Sequence, residues 1–190
     1  MDTSLVEERF RESIALSEAV LAAHAPTIAA MAEALVACLR AGGKVLLCGN
    51  GGSAADAQHL AAELVNRFLR ERPALPAVAL TTDSSILTAT ANDRDFAEVF
   101  SRQVEALGRP GDVLFLLSTS GCSPNLHRAV EAARARRMTV LALLGGDGGG
   151  LPAQCDLALV VPSPLSPRVQ EVHILIGHIL CEAVELALFP

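Results

Sequence analysis

Five short apolar runs, Lys44–Cys48, Ala77–Leu80, Asp112–Leu117, Thr139–Leu144 and Leu157–Val161, constrain the fold most, because helical stretches and turn clusters separate them. A half-exposed antiparallel strand alternates apolar and polar residues, whereas these runs are almost continuously apolar. Continuous apolar strands alternating with helices specify a parallel sheet covered on both faces. The expected fold is therefore α/β: a doubly wound five-stranded parallel sheet flanked by helices. The first run enters Gly49-Asn50-Gly51-Gly52-Ser53 and a helix over 54–70. The second leads through Thr81-Thr82-Asp83 into helical material up to Leu107. The third enters Ser118-Thr119-Ser120-Gly121-Cys122-Ser123 and a helix over Pro124–Arg136, and the fourth enters the Gly-rich turn 145–150.

The two ends of the chain carry their own helical patterns. Ile14, Val20, Leu21, Ile28, Met31, Leu35 and Leu39 recur at helical spacing, and Pro26 between them predicts two helices that stop at Ala41-Gly42-Gly43. Pro162, Pro164 and Pro167 precede a final helix over 168–188 that is apolar nearly all round. Such a helix is buried on every side. One small sheet layer is too little to cover it, so the N-terminal and C-terminal helices are expected to pack in an oligomer. With 190 residues the chain is expected to form a single domain, in which 1–43 supply oligomerisation helices and 44–190 the sheet core and C-terminal helix.

Composition excludes several function classes. A net charge of −6 opposes direct contact with nucleic acid or an anionic membrane, and 3% aromatic residues leave little for base stacking. The uncharged apolar run Val172–Cys181 near the C-terminus is shorter than the ~20 residues that span a bilayer and contains two histidines, so no membrane span is expected. The first eleven residues are dense in Glu and Arg, unlike a signal peptide, which points to the cytoplasm. Five cysteines without a C-x-x-C pair read as small buried hydrophobes, not disulfides.

Four features carry chemistry. Gly49 to Ala54 matches G-x-G-x-x-A, which brings backbone and a helix N-terminus close to an anion, or simply makes a tight turn. The loop 118–123 offers four hydroxyls without any Lys or Arg, which suits a small phosphate ester held by neutral donors. A dinucleotide site needs one such loop and an acidic residue, for which Asp83 could serve; two loops favour a sugar phosphate. His59 and Glu63, at i and i+4, can share a metal, work as an acid–base pair or form a surface ion pair. His178 lies in the last helix as a core or interface histidine or as a ligand, eight residues and ~12 Å of helix rise from Gln170. For one ion to collect both, Gln170 must sit in the Pro-rich entry to the helix or come from another subunit.

Together, Cys48 to Ser53, Ala57-Gln58-His59 through Glu63, Ala91-Asn92-Asp93, Gly111-Asp112-Val113, Ser118 to Gly121, and Arg168 to His173 with His178 closely resemble the phosphoheptose isomerases of the sugar-isomerase (SIS) domain family. The resemblance implies conversion of D-sedoheptulose 7-phosphate to D-glycero-D-manno-heptose 7-phosphate, the first step of ADP-heptose and lipopolysaccharide core biosynthesis, by a homotetramer with one Zn2+ per subunit. It puts the zinc ligands on His59, Glu63, Gln170 and His178. It puts substrate contacts on Asn50, Gly51, Gly52, Ser53, Glu63, Asn92, Asp93, Ser118, Thr119, Ser120, Ser123 and Gln170. Cys122 departs from the family, which carries Asn there. Ketose–aldose exchange needs a base and an acid on neighbouring carbons, and Glu63 and His178 are the expected pair. A relative on the same fold, the DnaA initiator-associating protein, regulates replication through an exposed Leu-Phe near its end. Leu188 and Phe189 resemble that segment and imply DnaA as an alternative partner.

Overall fold

In the computed structural model, which describes residues 2–190, α1 (Ser4–Arg40) leads into β1 (Val45–Gly49), α2 (Gly52–Val65), β2 (Ala77–Ala79), α3 (Ser84–Asp93) and α4 (Ser101–Leu107). Then follow β3 (Val113–Ser118), α5 (Pro124–Ala135), β4 (Thr139–Gly145), β5 (Leu157–Val161) and α6 (Ser166–Leu188). The strands form one parallel five-stranded sheet in the order β2-β1-β3-β4-β5. The α/β expectation holds.

Within each apolar run the two-residue strand period sorts the side chains between the two faces. Val45, Leu47, Val113, Phe115, Leu117, Leu141 and Leu143 pack with α1, α2 and α6. Leu46, Cys48, Leu114, Leu116, Val140, Ala142 and Leu144 pack with α4 and α5. The order reverses between β1 and β3, and the loops after these adjacent strands open at the switch point where ligands of such sheets bind.

Two expectations change. The N-terminal segment is one helix, not two, because it runs straight through Pro26. The carbonyl that Pro26 leaves without its helical donor is that of Ala22, an exposed residue whose carbonyl water can satisfy. The helix after the glycine loop ends at Val65, not 70, and residues 66–76 turn back so that Arg72 is buried. The single chain leaves one side of α6 open, the side an oligomer would have to cover: Leu175 and Ile179 stay exposed beside Leu21 and Ile14 of α1, around an apolar groove of about 370 Å³.

By length and composition alone α1 is long and apolar enough to cross a membrane, with mean hydropathy 1.5 over its most apolar window. Its uncharged stretch, residues 19–32, is shorter than a bilayer span and contains His24 and Pro26. Its Val20, Met31, Leu35 and Leu39 are buried in the core shared with α6.

Candidate functional site

The glycine loop is built for close approach. Gly51 has φ +57°, a left-handed conformation that side chains resist, and no side chain caps α2, so the first N–H groups of α2 face the loop. Gly49 passes so near the carbonyls of Ser53 and Leu117 that a Cβ would stand 2.7 and 2.8 Å from their oxygens. The 118–123 loop folds on its own hydroxyls: the Gly121 N–H donates to Ser118 Oγ at 2.9 Å and the Cys122 N–H to Ser120 Oγ at 3.3 Å. Ser123 stands at the N-cap of α5 without a capping bond from its side chain. Gly121, at φ +66°, lies against the backbone of Gly148 and Gly149 with no room for a Cβ.

Side chains lock the two loops into one unit. Asn50 Nδ2 donates to Asn125 Oδ1 at 3.0 Å and Asn125 Nδ2 donates back to Asn50 Oδ1 at 2.8 Å. The Ser166 hydroxyl donates to Thr119 Oγ1 at 3.2 Å and brings in the start of α6. The N-termini of α2, α5 and α6 thus converge on one cleft, a place for an anion that needs no cation in the loops. A cavity of about 170 Å³ beside the glycine loop is lined by Asn50, Gly51, Thr81 and Phe96.

The expected metal ligands separate into a trio and an outlier. His59 Nε2 lies 3.0 Å from Glu63 Oε1 and 3.4 Å from His178 Nε2, and one donor atom from each of the three falls within 4.8 Å of the others. The i,i+4 spacing on α2 aligns His59 with Glu63, and α6 runs alongside to bring in His178. Phe68 backs the His178 ring at 5.3 Å between centroids. Two imidazole nitrogens facing each other beside a carboxylate form a donor set that fits Zn2+ with a fourth position open. Gln170 does not join them. Its amide packs on Gly52, seven residues before His59 and so ~10 Å away along α2. A straight α6 separates Gln170 from His178, so within one chain the four expected ligands are not one set.

Other expected residues have local duties. Asn92 and Asp93 are exposed at the end of α3, bonded to each other at 2.8 Å, and among the described residues no hydrogen bond links them to either loop. Asp83 caps α3 by accepting from the Ile86 N–H at 2.9 Å, a structural task in place of a ribose contact. Ser53 is buried at the start of α2, and Cys122 is exposed with its thiol toward the Ser120 carbonyl. Leu188 and Phe189 are partly buried against the core, with the Arg72 guanidinium 5.9 Å over the Phe189 ring. Burial pushes the Asp56 carboxyl up, against the pull of nearby His59, and its Oδ2 is buried without a partner one turn before His59.

No local sequence pattern singles out Asn125, Ser166 or the buried pair Arg72–Glu185. Asn125 follows Ser123-Pro124 at a helix start, which marked the helix but not the amide's partner 75 residues away.

A family model described as SIS domain matches residues 9–145. The chain is 55% identical to a phosphoheptose isomerase of Desulfovibrio desulfuricans, over 97% of this chain and 88% of that protein. Its fold is similar to the phosphoheptose isomerase structure from Neisseria gonorrhoeae, with a TM-score of 0.92 and 47% identity over 97% of this chain and 98% of that one. It is similar as well to the one from Francisella tularensis, with a TM-score of 0.93 and 43% identity over 98% and 100%.

Proposed function

Since this chain belongs to the phosphoheptose isomerases of the SIS-domain family and is thus a sugar-phosphate isomerase, we propose that it converts D-sedoheptulose 7-phosphate to D-glycero-D-manno-heptose 7-phosphate, with Glu63 and His178 as its proton-transfer pair. The convergence of His59, Glu63 and His178 carries this assignment. The phosphate is held by the N–H groups that open α2 and α5 and by the hydroxyls of Ser118, Thr119, Ser120 and Ser123. Gln170, beside Gly52, and the glycine-loop backbone of Asn50, Gly51 and Gly52 orient the sugar between phosphate and reacting carbons.

The reaction moves two protons in opposite senses. Glu63 takes the proton from C1, beside the ketone, and the electron pair left behind forms the enediolate. His178 then returns a proton to C2, and O1 becomes the aldehyde oxygen as its proton passes to O2. His59, Glu63 and His178 would hold Zn2+, which when bound polarises the carbonyl and hydroxyl oxygens. Each proton-transfer group then acts from the edge of the metal site. An acid–base group of this kind contributes ~10²–10⁴-fold in rate.

The product feeds ADP-heptose and lipopolysaccharide core synthesis in the cytoplasm. The chain acts as a single SIS domain within a homotetramer, and the exposed apolar face of α1 and α6 supports that assembly. Asn92 and Asp93, exposed on the poorly covered α3, meet substrate at such a seam. Contact with DnaA through Leu188 and Phe189 is the less favoured role, because both side chains serve packing here.

The test is turnover of sedoheptulose 7-phosphate before and after zinc removal by a chelator, with metal content measured. Loss on stripping and return with Zn2+ is expected. Absence of turnover in zinc-loaded protein overturns the substrate, and full turnover in stripped protein overturns the metal.

A further inference from the structure

Glu185 lies seven residues after His178 on α6, two turns along the same face, and the structure buries it: its side chain is 2% exposed and that of Arg72 1%. Its Oε1 accepts from the Phe68 N–H at 2.7 Å and from Arg72 Nε at 3.0 Å, and its Oε2 from the Leu69 and Arg70 N–H groups at 2.8 and 3.0 Å. Arg72 makes three further bonds, two of them to the end of α2. Nη1 reaches the Leu64 and Pro73 carbonyls at 2.7 and 3.0 Å, and Nη2 reaches the Glu63 carbonyl at 2.8 Å. The Glu63 and Leu64 carbonyls belong to the last turn of α2, where no further helical N–H is available to them.

A buried ion pair adds little net stability, since desolvation offsets most of the attraction. The bonds of this pair, however, fall on the two elements that present the reacting groups. We propose that Arg72 and Glu185 are positioning residues for the proton-transfer pair. Arg72 fixes the helix end that carries Glu63, and Glu185 fixes the segment whose Phe68 ring backs His178. Both are anchored to α6, so the separation of Glu63 and His178 is set by one buried unit. Small displacements of reacting groups are costly to rate, and partners behind metal ligands typically alter affinity or activity 10–100-fold.

This inference rests on the proposed roles of Glu63 and His178, and two variants test it. Arg72→Lys keeps the charge but cannot bond Glu185 and both α2 carbonyls at once. Phe68→Leu removes the ring and leaves the buried pair intact. Val104→Ala, on the opposite face of the sheet, serves as a control for general destabilisation. For each protein, kcat, KM, the melting temperature and zinc affinity by competition with a chromophoric chelator are measured. Both test variants are expected to lose ~10–100-fold in kcat with KM within about twofold, because the phosphate loops lie at the other end of α2, and Arg72→Lys also loses ~10–100-fold in zinc affinity. Val104→Ala is expected to lower the melting temperature alone. Variants that melt early like Val104→Ala but keep wild-type kcat and zinc affinity overturn the proposal. Should Arg72→Lys not fold, wild-type kcat in Phe68→Leu overturns it. Failure of the wild-type protein to turn over sedoheptulose 7-phosphate sinks the substrate assignment instead, and unchanged zinc affinity in Arg72→Lys still counts against the positioning role.

Discussion

The amides of Asn50 and Asn125 exchange two hydrogen bonds, at 3.0 and 2.8 Å, across 75 residues of sequence, and so make the glycine loop and the start of α5 one rigid wall of the cleft. Each amide spends a donor and an acceptor on the other. The Asn50 side chain is therefore committed to shaping the loop, while its backbone faces the cleft.

Replacing Asn125 by Ala removes both hydrogen bonds that the buried Asn125 amide makes to the half-buried Asn50 amide. The expected loss is about 1–3 kcal/mol of stability, read by urea unfolding. KM for the sugar phosphate should rise while zinc affinity stays at the wild-type value, because the trio on α2 and α6 is untouched. An unchanged KM would separate this pair from the substrate cleft.

Gly52 does not need its freedom for backbone conformation, as its φ is not positive, but a Cβ there would run into the Gln170 amide. Gly52→Ala should therefore fold with an equal or slightly higher melting temperature and push Gln170 aside. Loss of one hydrogen bond of ordinary strength predicts KM about tenfold higher. A wild-type KM would remove Gln170 from the substrate's contacts.

The sheet was legible because its strands are continuous apolar runs, and the site loops because glycines and hydroxyls cluster where strands meet helices. His59 and Glu63 were legible because helix geometry fixes their relation locally. His178 reaches them only through the packing of α2 against α6, which no local spacing encodes, and the same packing strands Gln170 at Gly52. The failure at Pro26 has a similar root. A proline lowers helix propensity, but contacts of Met31, Leu35 and Leu39 with the core on one side of it, and of Val20 on the other, outweigh one lost hydrogen bond on an exposed face.

His173 gives the fold a pH dependence. It is wholly buried, with Nε2 3.1 Å from the Leu144 carbonyl and Nδ1 without a partner, and burial pushes its pKa down from 6.5 to about 4. Between those values the unfolded chain binds a proton that the folded chain does not, so stability is full above pH 6.5 and falls as the pH drops toward 4. At about 1.4 kcal/mol per pH unit, the loss across this window is on the order of 3 kcal/mol. His173→Gln can still donate to the Leu144 carbonyl and cannot titrate. Unfolding curves from pH 7 to 4 should show a shallower decline for the variant, and parallel curves would contradict the assignment.

The open apolar face of α1 and α6 should close against another copy of the chain. Leu21, 66% exposed, lines the groove from the α1 side and is not one of the ligand trio. Leu21→Lys should reduce the mass seen by light scattering from that of four chains to a smaller species, with helical content retained. An unchanged mass would move the interface elsewhere.

Proton transfer by Glu63 and His178 is the step on which the proposed activity depends. The most direct measurement is isomerisation of sedoheptulose 7-phosphate in D2O, with the product analysed by NMR. His178 exchanges its proton with solvent before donating it, so the wild-type product should carry deuterium at C2, and Glu63→Gln should lose ~10²–10⁴-fold in turnover. A product with protium at C2, formed at an undiminished rate by Glu63→Gln, would contradict the mechanism.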